Sequence, residues 1–193
     1  MRPLTRLAVL AAAAAMAAGA QAAGIRSPEM LAHTCAGCHG TGGASAGLSM
    51  PTIGGLDRGY LLSVMTDYKV GLRPATIMDR IARGYSDQEL AAIAAWFAQQ
   101  PWVSTDTVHE GQLVAQGRKF HEDKCETCHE DGGRVQDEET PRLAGQWTQY
   151  THYALEVCRE QGKRCDPRKM GERVMDLSDE ELRALAHYYA SEK

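Results

Sequence analysis

The segment that starts at Cys35 is written a second time 90 residues later. Cys35-Ala36-Gly37-Cys38-His39 returns as Cys125-Glu126-Thr127-Cys128-His129, and Pro51-Thr52-Ile53-Gly54-Gly55 returns as Pro141-Arg142-Leu143-Ala144-Gly145. Tyr60 is answered by Tyr150, Met78 by Met170, and Ser86-Asp87-Gln88-Glu89-Leu90 by Ser178-Asp179-Glu180-Glu181-Leu182. The offset is 90 as far as Tyr150 and 92 from Met170 onward, so two residues are inserted between those points. A chain repeated this way folds as two copies of one unit, here expected over residues 23–100 and 101–193. Each copy has a marginal size for a self-sufficient core.

Each unit reads as helical. Ser27-Pro28 predicts an N-cap with proline at the first helical position, and its counterpart helix is expected from about Gly111 to Cys128. Ser86-x-x-Glu89 and Ser178-x-x-Glu181 are capping boxes. The helices they start place Leu90, Ile93 and Phe97, or Leu182, Leu185 and Tyr189, on one face. Central helices are expected from near Tyr60 and Thr148. No period-2 pattern of useful length suggests a strand. The polar stretch from Pro101 through Asp106 reads as a linker. The fold class is therefore all-α, with two tandem domains.

The motif C-x-x-C-H is the attachment site of c-type haem. Cys35 and Cys38, and Cys125 and Cys128, would bind two haem groups as thioethers, and His39 and His129 would each supply one axial ligand to iron. A structural zinc site needs four well-spaced ligands, and neither unit offers a second Cys/His pair at a matching place. A thioredoxin-like motif would need a βαβ setting. Met78 and Met170 are the candidates for the second axial ligand. They follow their histidines by 39 and 41 residues, and each stands eight residues before its capping-box serine, on the expected loop between central and last helices. Met30, Met50, Met65 and Met175 have no counterpart in the other unit and read as core filler. His33, His109, His121, His152 and His187 are unmatched as well. Pro51 and Pro141 each stand twelve residues after a haem histidine. A backbone carbonyl there can accept the histidine's other N–H, or the proline merely turns the loop.

The first 22 residues read as a secretory signal: Arg2 and Arg6, an apolar run from Leu7 to Ala18, and the small-x-small site Ala20-Gln21-Ala22. That predicts export to the periplasm with no membrane span after cleavage. In such a compartment Cys158 and Cys165, present only in the second unit, would favour a disulfide; a reactive thiol is the alternative. After Ala22 the chain carries 19 basic and 25 acidic residues, and the whole imbalance lies on residues 101–193. This charge does not suggest nucleic acid.

With these residues in place the chain resembles the tandem dihaem class I cytochromes c of the cytochrome c4 type. The stretches Ala75 to Ser86, Cys125 to His129, Gly132-Gly133, Asp137 to Glu139 and Leu143 to Thr148 make it similar, more narrowly, to the cytochrome subunit of flavocytochrome c sulfide dehydrogenases. The resemblance implies two small helical haem domains related by a pseudo-twofold axis, His/Met ligation through Met78 and Met170, and proline carbonyl contacts from Pro51 and Pro141. It also implies electron transfer from a flavoprotein (FAD) sulfide dehydrogenase subunit. A free-standing carrier between a quinol-oxidising complex and a terminal oxidase is the alternative, with a soluble cytochrome or an oxidase as acceptor. A dihaem peroxidase would require an open iron. Cys158 and Cys165 lie outside the family pattern.

Overall fold

A computed structural model describes residues 26–162 and 165–193; the leader read over residues 1–22 lies outside them. Among the described residues every regular element is helical. The first unit runs α1 (Pro28–His33), α2 (Ala36–His39), α3 (Arg58–Val70), α4 (Met78–Ala82) and α5 (Asp87–Ala98). The second runs α6 (Gly111–Phe120), α7 (Glu130–Gly133), α8 (Thr148–Gln161), α9 (Arg168–Val174) and α10 (Asp179–Ser191).

The helix starts follow their caps. The Ser27 hydroxyl accepts the Met30 N–H at 3.2 Å, with Pro28 beginning α1. Both capping boxes are complete, so α5 and α10 begin where the serines dictate. Within each unit the first helix crosses the last: α1 packs on α5, and α6 packs on α10. Gly117 allows the second crossing, because a Cβ there would collide with the Ala184 carbonyl. Two separate cores result. One gathers Leu31, Leu56, Leu61, Ile93 and Phe97, and the other Leu155, Val174, Leu182, Leu185 and Tyr189.

The duplication extends to single hydrogen bonds. Gly43 and Gly133 both take left-handed backbone, with φ of 79° and 81°. The Gly43 carbonyl accepts from the N–H groups of Ile53 and Gly54, and the Gly133 carbonyl from those of Leu143 and Ala144. Gly55 donates to the Phe97 carbonyl as Gly145 donates to that of Tyr189. These bonds hold the loop after each haem motif against the end of the last helix.

Met30, Met50 and Met175, read as core filler, are instead exposed on the surface. Three further expectations change in detail. Met78 and Met170 lie on short helices, at the first residue of α4 and the third of α9, where a loop was expected. The helix from Gly111 gives way after Phe120 to a π-helical turn over His121–Cys125, which carries the chain into the second motif. The stretch after Pro101 contains no helix, yet it is packed: Thr105 is buried, its N–H donates to the Gly145 carbonyl at 2.8 Å, and the Arg142 guanidinium stacks on Trp102. Polar composition suggested a linker, but the closely approaching backbones at Gly55 and Gly145 give this stretch a surface to lie on.

Candidate haem sites

Each C-x-x-C-H segment is a tight turn closed by its own backbone. The His39 N–H donates to the Cys35 carbonyl and the His129 N–H to the Cys125 carbonyl, both at 2.9 Å. In each motif the first cysteine is half-buried against its core and the second is exposed. All four stand unpaired. Burial pushes the Cys35 and Cys125 thiols up, so at neutral pH they are the uncharged form. Both histidines turn inward and are buried. Burial pulls the His129 pKa down to about 4, with His121 nearby acting in the same direction. Burial lowers that of His39 too, opposed by the bond it donates to the Pro51 carbonyl. Neutral buried imidazole is the form that ligates a metal.

The two histidines differ at their other nitrogen. His39 Nδ1 donates to the Pro51 carbonyl at 2.9 Å. His129 Nδ1 is buried with no partner, and no equivalent bond reaches it from the Pro141 carbonyl. Met170 is half-buried and packs on the second core, which Cys125 also borders. Met78 is half-buried at the start of α4.

These residues fit haem better than a bare metal ion. Among the described residues no three His, Cys, Asp or Glu side chains converge as a metal site, whereas each unit offers a pair of free thiols, a buried neutral imidazole and a half-buried thioether.

The unmatched histidines are engaged elsewhere. His121 takes the place of Leu31 in the repeat and is equally buried. Its Nε2 meets the Glu126 carboxylate and its Nδ1 the Tyr189 hydroxyl at 3.0 Å. His187 Nδ1 accepts the Glu110 N–H, His109 lies against the Thr107 carbonyl, His152 approaches Glu156, and His33 stands edge-on to Trp96. Cys158 and Cys165 are joined, with Cα atoms 5.1 Å apart, and tie the end of α8 to the segment before α9.

Between the units lies a polar seam, a contact the sequence reading did not foresee. The Gln146 carboxamide accepts the Thr52 N–H at 3.0 Å and donates to the Thr52 carbonyl at 2.9 Å. Gln136 bonds in the same two-way fashion with the Asp57 N–H and the Gly55 carbonyl. Trp147 is buried and donates from its indole to the Ser45 carbonyl. A cavity of about 250 Å³ is lined by Tyr60, Asp67 and Arg73 of one unit and by Glu138 and Asp166 of the other. Burial works against the charge on Arg73, but its contacts with the Tyr60, Tyr150 and Tyr68 hydroxyls raise its pKa above the ordinary value. The signal that could have singled out these glutamines is the repeat itself, since Leu56 stands where Gln146 would be matched, and Ala46 where Gln136 would be.

The chain is similar to several known proteins. A family profile described as cytochrome c oxidase, cbb3-type, subunit III matches residues 112–188. The chain is 33% identical over 173 residues to the thiosulfate dehydrogenase electron acceptor of Stutzerimonas stutzeri, covering 83% of this chain and 79% of that protein. It is 33% identical over 184 residues to cytochrome c4 of Pseudomonas aeruginosa, covering 90% and 89%. The cytochrome subunit of sulfide dehydrogenase from Chlorobaculum tepidum is 42% identical over 69 residues, 36% of this chain and 62% of that one. Among solved structures, reduced recombinant cytochrome c4 from Pseudomonas stutzeri superimposes with a TM-score of 0.76 at 28% identity, covering 86% of this chain and 97% of that one.

Proposed function

The chain belongs to the cytochrome c4 family of dihaem c-type cytochromes, and from that premise we propose that it accepts electrons from a dehydrogenase acting on a reduced inorganic sulfur compound. As a member of that family it is an electron-transfer protein with two covalently bound haem c groups. When bound, each haem supplies a one-electron ferric/ferrous couple. The protein's part is to hold and seal it. Cys35 and Cys38, and Cys125 and Cys128, would form the thioethers, and His39 with Met78, and His129 with Met170, would hold the two irons. A thioether favours ferrous iron and raises the potential. Held by a histidine and a methionine, each iron would be closed to substrate, and the buried histidines and half-buried methionines would limit rearrangement between oxidation states.

The observation that carries the sulfur-compound reading is the likeness over most of the chain to the thiosulfate dehydrogenase electron acceptor. A structural likeness adds support: part of the thiosulfate dehydrogenase from Marichromatium purpuratum, 36% of that chain, superimposes with a TM-score of 0.72 at 25% identity. The narrower reading, a flavoprotein sulfide dehydrogenase as donor, rests on the match to the sulfide dehydrogenase subunit, which covers one unit's worth of residues. The family likeness equally favours a free-standing carrier between a quinol-oxidising complex and a terminal oxidase. We place the protein in the periplasm, where haem attachment and the Cys158–Cys165 bond are both compatible with the redox conditions; no helix among the described residues is long and apolar enough to cross a membrane.

Rapid mixing of the oxidised protein with a sulfide or thiosulfate dehydrogenase and its substrate tests the reading. Reduction of both haems within the enzyme's turnover time is expected. Failure with both enzymes, alongside rapid reduction by a quinol-oxidising complex, transfers the protein to the second reading.

A further inference from the structure

We infer that Gln146, a residue of the second unit, is a positioning residue for the axial histidine of the first unit, and that this control runs in one direction only. It rests on the assignment of His39 as an iron ligand. Gln146 grips both polar groups of the Thr52 backbone, at 3.0 and 2.9 Å. Its oxygen also accepts the Trp147 N–H at 3.1 Å, and Gln146 and Thr52 are 4% and 1% exposed, so the carboxamide is locked in one orientation. Thr52 directly follows Pro51, whose carbonyl accepts the His39 Nδ1–H. The peptide that bears this carbonyl is the one whose N–H Gln146 holds. A rotation of that peptide weakens the bond to His39 and the bond to Gln146 together.

The converse arrangement is missing. The repeat pairs Gln146 with Leu56 and Thr52 with Arg142. Leucine cannot bond to a backbone, and among the described residues no side chain from the first unit bonds to the backbone of Arg142. It is in this unit that His129 Nδ1 stands without a partner. A hydrogen bond from Nδ1–H strengthens a histidine as a ligand and so favours ferric iron. The second unit thus tunes the first haem while the first has no equivalent hold on the second.

The test is a spectroelectrochemical titration of the exported holoprotein, with each couple assigned to its unit by the drop that Met78→His or Met170→His causes. Gln146→Ala is expected to shift the first couple upward, by a several-fold change in its ferric/ferrous ratio, and to leave the second in place. A tenfold change corresponds to about 59 mV for one electron. Gln146→Met, an uncharged side chain of similar length that can make neither bond, is expected to fold if the alanine variant does not, and to shift the same couple in the same direction. Gln136→Ala, which loosens the seam away from Pro51, should move neither. The inference is overturned if both couples shift equally, if only the second shifts, or if Gln136→Ala has the same effect as Gln146→Ala. A low-spin spectrum for the first unit that survives His39→Ala refutes the ligand assignment instead, whatever the glutamine variants do.

Discussion

His39 and His129 hold the same place in the repeat, yet only His39 has its second nitrogen bonded, to the Pro51 carbonyl. The covalent geometry around them is shared, because five residues of C-x-x-C-H close on their own backbone. What differs is the neighbour supplied from elsewhere. The ligand assignment yields a direct expectation at this scale. Met78→Ala and Met170→Ala should each abolish the sulfur-to-iron near-infrared band of one haem only, leaving about half the intensity, and should open that iron to carbon monoxide. Retention of the full band in either variant would remove that methionine from the ligand set. His121 illustrates the opposite case. Its burial at the site of Leu31 tempts a ligand reading, but Glu126 and Tyr189 already occupy both its nitrogens.

Among the elements, α5 and α10 depend most on a local signal, the serine-glutamate capping box. Ser178→Ala removes the acceptor for the Glu181 N–H, and a lost cap of this kind costs about 1 kcal/mol, read as a drop of roughly 2–4 °C in Tm for a chain of this size. The bond from the Ser178 N–H, with its hydroxyl assisting, holds the Glu181 carboxyl below the usual carboxylate range. A depressed acid stabilises the fold above its ordinary pKa and loses that contribution as pH falls through the lowered value. Glu181→Gln should therefore flatten the acid limb of a Tm-versus-pH curve below pH 4.5, and an unchanged limb would show that the box carries no charge-linked stability. The bridge from Cys158 to Cys165 closes a short loop, with a sequence separation of 7. For so small a ring, chain entropy predicts about 2 kcal/mol, so replacing both cysteines by serine should lower the melting temperature while leaving both haem spectra unchanged.

For the whole molecule the question is how far two cores behave as one body. The seam is narrow but well bonded: Gln146, Gln136 and Trp147 all reach from the second unit to backbone of the first. Trp147 is buried and bonds across the seam to Ser45. Truncating a buried tryptophan to alanine costs about 3–5 kcal/mol. Calorimetry should show one transition for the parent protein and two for Trp147→Ala. A single transition in both would mean that the segment from Pro101 to Thr105, packed along Gly55 and Gly145, is sufficient to couple the units.

The duplication, the helical class, both capping boxes and the four thiols with their histidines were legible in sequence, because each depends on residues a few positions apart. A cap needs a serine and a glutamate three residues on; a haem motif needs five consecutive residues. The proline bond to His39 spans only twelve residues, yet its absence at His129 could not be read, since Pro141 stands at the identical distance. The helical placement of Met78 and Met170 and the packing of the segment after Pro101 were also invisible to local pattern. So was the seam: Gln146 and Thr52 are 94 residues apart, and nothing near either announces the other. Short-range chemistry determined what each unit is. Long-range contact alone decided that the two units differ, because a buried backbone group takes whichever partner the opposing surface presents, and in this chain glutamine faces one way and leucine the other.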